Sequence, residues 1–147
     1  MLALVDLANH PSDTVAMAAR LAADQGAELA VGGIVAWDVS HGSDLVLDLV
    51  SESLVSSLRR PARARLRGLA RAAGYEGAAA LIATRCDPWE ATLEMVTDWH
   101  PDLLVVADKG IFDPGVKRRV TYRTPSGVSE AGVRRYRPGR RRGGGER

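Results

Sequence analysis

Residues 87–110 read DPWEATLEMVTDWHPDLLVVADKG, and this stretch contains a helix start, a helix, a turn and a strand in that order. Asp87 is a natural N-cap acceptor. Pro88 suits the first helical position, where an N–H would go unused, and Glu90 stands at N3. The helix begun there runs to about Trp99. His100-Pro101-Asp102 turns the chain, and Leu103-Leu104-Val105-Val106-Ala107 is an unbroken apolar run of strand length. Polar residues do not alternate with apolar ones in it, so it reads as a strand buried on both faces of a helix-clad parallel sheet.

The same grammar repeats upstream. Met1 to Leu7 is apolar apart from Asp6 and reads as a first buried strand. Asn9-His10-Pro11-Ser12-Asp13 supplies a turn and helix caps, followed by Val15, Ala18, Ala19, Ala22 and Ala23 at helical spacing, with Gly26 at the C′ position. Leu29 to Trp37 is a second strand, in which Gly32 and Gly33 weaken the strand or admit a close helix. Asp44 to Ala73 is helical, with Leu45, Leu49, Val50, Leu54 and Leu58 forming a stripe; Pro61 inside it predicts two helices or one kinked helix. Gly74 ends it, and Ala78 to Thr84 is a third strand. The fold class is therefore α/β, Rossmann-like: an open parallel sheet of about four strands with helices on both faces. Ligands of such sheets bind beyond the carboxyl ends of the strands. Those ends carry Asp6 to Asn9, Trp37 to Asp38, Arg85 to Asp87 and Asp108 to Gly110.

Composition sets the limits. The 147 residues suit one domain, 46% of them apolar, but one Phe, three Tyr and three Trp leave Ala, Val and Leu to fill the core. No apolar run approaches the roughly 20 residues of a membrane span, and the opening lacks the basic and cleavable segments of a secretory signal. A single cysteine, Cys86, excludes an internal disulfide and a multi-cysteine zinc site. A cytoplasmic protein without membrane contact is expected. The net charge of +2 divides unevenly: residues 1–115 hold 9 basic and 16 acidic side chains, net −7, whereas residues 116–147 hold 11 basic and 2 acidic, net +9. We accordingly read residues 1–119 as the α/β domain. Residues 120–147 read as a diverged basic, Arg/Gly-rich tail, disordered for want of apolar residues.

Four local features together resemble the universal stress protein family over about residues 1–120. They are the opening Leu-Ala-Leu-Val-Asp6-Leu, the Ala-Asp-Gln-Gly26-Ala-Glu-Leu helix end, Asp87-Pro88-Trp89-Glu90-Ala91, and the run from His100 through Asp102 to Asp108-Lys109-Gly110. Asp87-Pro88 and Thr124-Pro125-Ser126 are also similar to the tandem-domain, UspE-like branch. The resemblance implies a stress-response binding or regulatory protein rather than an enzyme. Nucleotide-binding members carry Gly, two residues, Gly, nine residues, then Gly with Ser or Thr. Glycines there let backbone N–H groups reach phosphates, and the last opens a helix whose N-terminus favours anions. Here Gly110 fits the first position, but Asp113 and Arg123 occupy the other two. The standard ATP-binding loop is therefore expected to be missing. If ATP or another nucleotide binds, the resemblance places it at Asp6, Leu7, Asp38, Lys109 and Gly110, with Asp6 on the adenine side and Lys109 as the nearby cation; a nucleotide-binding switch or weak ATPase is the alternative reading. The family also ends in an apolar fifth strand that commonly joins dimers. Arg135-Tyr136-Arg137-Pro138-Gly139 stands in its place, so the fourth strand is expected to be an open edge. A protein partner or homodimer is expected, without its usual strand.

Other motifs point to ordinary roles. His41-Gly42-Ser43-Asp44 only superficially resembles nucleotidyl-transfer signatures and reads as a helix cap. His10, His41 and His100 lie in three separate connections without ligand spacing. Cys86 follows Arg85, which would favour its thiolate, but the favoured reading is a half-buried, unreactive cysteine. Arg59, Arg60, Arg63, Arg65, Arg67 and Arg71 read as a solvated basic helix. The arginines from Arg134 to Arg142 could bind nucleic acid weakly and in a salt-dependent way, without stacking aromatics beyond Tyr136.

Overall fold

The cap that decides the sequence reading forms as expected: the Asp87 carboxylate accepts the Glu90 N–H at 2.8 Å, and Pro88 opens the helix. That helix closes at His100, whose left-handed backbone (φ 52) lets its N–H reach the Val96 carbonyl at 2.9 Å. The structure, a computed structural model, describes residues 1–7, 11–34, 44–83, 87–107, 111–112 and 118–136; for 44–55 and 136 it describes the backbone alone. The elements are β1 (Leu2–Val5), α1 (Pro11–Gln25), β2 (Ala30–Ile34), α2 (Asp44–Ala72), β3 (Ala79–Ala83), α3 (Pro88–Trp99), β4 (Leu103–Ala107), β5 (Arg119–Thr124) and β6 (Gly127–Tyr136).

The sheet runs β3-β2-β1-β4-β6-β5. The first five strands in that order pair in parallel, with registers that include Leu4↔Gly32, Leu4↔Val106 and Val105↔Arg134. Its last pair, β5 with β6, is antiparallel. Two apolar layers follow. On one face Ala3, Val5, Val31 and Val105 meet Val15, Ala18 and Ala22 of α1 and Leu66 and Ala70 of α2. On the other, Leu2, Leu4, Leu104 and Val106 meet Ala91, Met95 and Val96 of α3. Helices thus clad both faces, and an α/β, Rossmann-like fold is observed. Pro61 lies within a single helix, α2.

The carboxyl-terminal third corrects the sequence reading. Six strands form rather than about four, and the sheet is mixed rather than all parallel. Residues 119–136, read in most part as a disordered tail, make a hairpin whose turn closes at Thr124↔Gly127. Gly127, at φ 140, takes a conformation that favours glycine. Inward residues Val120, Tyr122 and Ala131 are buried against the α3 layer, while Arg119, Thr121 and Arg123 face outward. The alternation supplies a half-buried strand without any long apolar run. β4 is not an open edge either: β6 pairs with it from Leu103↔Gly132 to Ala107↔Tyr136.

Candidate functional site

The strand order places a switch point between β1 and β4. From β1 the chain winds outward through β2 to β3, then α3 crosses back to β4 on the other side. In open α/β sheets the ligand position is at the carboxyl ends of the strands flanking such a point. The β1 end is formed by Asp6 and Leu7, both half-buried, and Leu7 packs against the α1–α2 layer. A Cβ added to Gly33 would stand 3.5 Å from both Leu7 and Leu66, so β2 and α2 close around the β1 end. Asp6 is engaged by other groups of the protein. Asp38, Lys109 and Gly110 lie outside the described residues, as do Arg85, Cys86, Asp113, His10 and His41. Asp6 and Leu7 are therefore the members of the expected set whose placement can be stated: they follow β1 at its carboxyl end.

Arg123 is the next-to-last residue of β5, opposite Val128, and is exposed. His100 stacks on Tyr122 with ring centroids 6.1 Å apart. Among the described residues no group of three or more His, Cys, Asp and Glu gathers to hold a metal. No helix among them is long and apolar enough to cross a membrane.

At the opposite, amino-terminal end of the strands, the Tyr75 hydroxyl donates to the Ala27 carbonyl at 2.9 Å and accepts from the Leu29 N–H at 3.2 Å. This hydroxyl ties the turn after α2 to the turn before β2. The basic series of α2 is less evenly spread than the sequence suggests. Arg59, Arg60, Arg63 and Arg67 line one cleft of about 460 Å³ along the helix, together with Ser56 and Ala64. The sequence does hold the signal for this clustering: positions 60, 63 and 67 recur at the helical repeat, and Arg59 adjoins them.

The fold defines the class: an open, helix-clad α/β domain with a switch point between β1 and β4. Three solved structures similar to this chain are universal stress proteins. One, from Archaeoglobus fulgidus, shares 12% identity at a TM-score of 0.47, with 78% of each chain covered. A universal stress protein in complex with cAMP shares 18% identity at a TM-score of 0.45, covering 79% of this chain and 77% of that one. A member of the family from Burkholderia pseudomallei shares 17% identity at 0.46, covering 71% and 79%. No family model and no curated protein matches the chain.

Proposed function

We propose that this chain is a universal-stress-protein-like, cytoplasmic binding protein of stress response and regulation, not an enzyme, and that it lacks the standard ATP-binding loop. The observation that carries the reading is the position of Arg123. In the nucleotide-binding pattern this residue would be a glycine opening a helix, whose free N–H groups and positive dipole end favour phosphate. Here it is the next-to-last residue of β5, opposite Val128 in a hairpin, and it opens no helix. The switch point at Asp6 supports a ligand or partner position of the expected kind. A protein partner, including a second copy of the chain, remains the partner class this reading favours.

Calorimetric titration of Mg-ATP into the purified chain tests it. The expected result is no tight one-to-one binding. Tight binding that disappears in Asp6→Ala would overturn the reading in favour of a nucleotide switch with Asp6 on the adenine side and Lys109 and Gly110 at the phosphates.

A further inference from the structure

The sheet ends in two edges of different chemistry. β3 closes one side with Ala79, Ala80, Leu81, Ile82 and Ala83, all apolar, whereas β5 closes the other with Arg119-Val120-Thr121-Tyr122-Arg123-Thr124. One bond settles which backbone groups of β5 are spent on β6. The Val133 N–H donates to the Arg118 carbonyl at 2.8 Å, and bonded pairs alternate with unbonded ones along an antiparallel ladder. Val120, Tyr122 and Thr124 therefore turn their N–H and C=O groups toward β6. Arg119, Thr121 and Arg123 turn theirs to the open edge, where they meet no partner strand among the described residues.

Side chains put a charge pattern on this row of donors and acceptors. Arg119, Thr121 and Arg123 stand exposed on one face of the hairpin, while Val120 and Tyr122 are buried in the α3 layer on the other. Arg119 holds Glu130 at 3.0 Å. Arg123 lies opposite Val128, itself 69% exposed, and has no carboxylate partner among the described residues. The architecture does not demand this charge, since the β3 edge folds without any. Its effect is selective. A second copy pairing antiparallel through this edge, centred on Thr121, would set Arg119 of each chain directly opposite Arg123 of the other, a repulsive pair made twice. An acidic strand meets the same two positions with attraction. An edge guarded by arginines thus refuses its own kind and admits acid.

Resting on the reading of this chain as a partner-binding protein, we propose that the β5 edge takes up an extended acidic segment of another protein as an added strand. Main-chain bonds to the N–H and C=O groups of Arg119, Thr121 and Arg123 supply the affinity, and the two arginines supply the choice. The segment carries carboxylates at i and i+4 on the arginine face, one of them opposite Arg123, where the guanidinium offers a fork of donors. Its alternate residues fall on the other face, at the margin of the α3 layer beside Val120 and Tyr122, and are apolar.

The probe is a short, end-capped, fluorescently labelled peptide alternating glutamate with valine, titrated with the full chain and read by anisotropy. Its comparators are the same peptide with lysine for glutamate, and one of identical composition with its glutamates in a single block. One-to-one binding of the alternating acidic peptide is expected, at least about tenfold tighter than either comparator. Arg123→Glu should weaken it by about tenfold or more and strengthen binding of the lysine peptide. Arg63→Gln, on α2, should leave it unchanged, and thermal melts confirm that each variant folds. Amide hydrogen exchange reads the geometry: Thr121 and Arg123 should slow on binding, whereas Val120 and Tyr122, already bonded to β6, should change little. Equal binding of the block peptide, unchanged binding in folded Arg123→Glu, or no slowing at Thr121 and Arg123 would overturn the proposal. Titration with Mg-ATP reads the strand ends and not this edge, so this inference and the proposed function fail separately.

Discussion

The Tyr122 hydroxyl donates a hydrogen bond to the Pro101 carbonyl oxygen at 3.0 Å, joining β5 to the turn between α3 and β4. Both partners are buried, so the bond has no water to replace it. Tyr122→Phe keeps the ring and orphans the carbonyl, and should destabilise the fold by about 1 kcal/mol or somewhat more. Urea denaturation measures it as a lower midpoint at unchanged slope.

The same phenol makes stability depend on alkaline pH. Burial raises its pKa above the ordinary 10.0, and the Asp102 carboxylate nearby adds to the rise. The folded state therefore holds the proton more tightly than the unfolded chain. Its contribution is full below pH 10.0, the unfolded value, and is lost as pH rises through the higher folded value. Denaturation midpoints taken from pH 8 upward should fall through that window. In Tyr122→Phe this part of the slope should vanish, and a slope that persists unchanged would assign it to other groups.

Removal of residues 119–147 tests whether the hairpin belongs to the domain. It strips β6 from β4 and takes Val120, Tyr122 and Ala131 from the α3 layer. Burial of this size is worth several kcal/mol, comparable with the whole stability of a small domain, about 5–15 kcal/mol. The shortened chain should unfold or aggregate through the exposed β4 edge. Native-like circular dichroism and a cooperative melt would show that the first four strands fold alone.

The hairpin escaped the sequence reading for a physical reason. β1 and β4 are buried on both faces and read as unbroken apolar runs, and α3 announces itself through Asp87-Pro88-Trp89-Glu90. β5 and β6 are half-buried strands whose buried residues Val120, Tyr122 and Ala131 stand singly among polar ones, and their outward arginines raise the local charge to that of a disordered tail. Arg119-Val120-Thr121-Tyr122-Arg123 does alternate with period two, but composition outweighed the alternation. At the candidate site the topology was legible because strand order follows from the crossovers. The clustering of Arg59, Arg60, Arg63 and Arg67 was hidden because all six arginines of the series together spread around more than half of the helix.

The Asp87 cap makes a simple check on α3. The Asp87 carboxylate satisfies one of the four free N–H groups of the helix end. Asp87→Ala should cost about 1 kcal/mol, and Asp87→Asn or Asp87→Ser should recover most of it because either side chain can still accept the Glu90 N–H. Denaturation midpoints of the three variants decide between a capping role and a charge role. If only the acidic residue suffices, the charge matters more than the acceptor.

Gly32 and Gly33 are neighbours in β2 with opposite demands. A Cβ on Gly32 would stand 2.6 Å from Met95 Sδ, with Leu4 and Leu2 at 3.2 and 3.3 Å. Met95 is itself buried, so its thioether has little room to swing aside. A Cβ on Gly33 meets ordinary contacts at 3.5 Å. Gly33→Ala should therefore fall within about 0.5 kcal/mol of the parent, whereas Gly32→Val should destabilise by about 2 kcal/mol through overpacking. The cause is testable in a cycle. Met95→Ala alone opens a cavity and should cost about 2–4 kcal/mol, but with Gly32→Val the new methyls occupy part of that space. The double variant should be at least about 1 kcal/mol more stable than the summed single losses. Strict additivity would mean that α3 does not rest on Gly32, and that the glycine serves the strand rather than the helix above it.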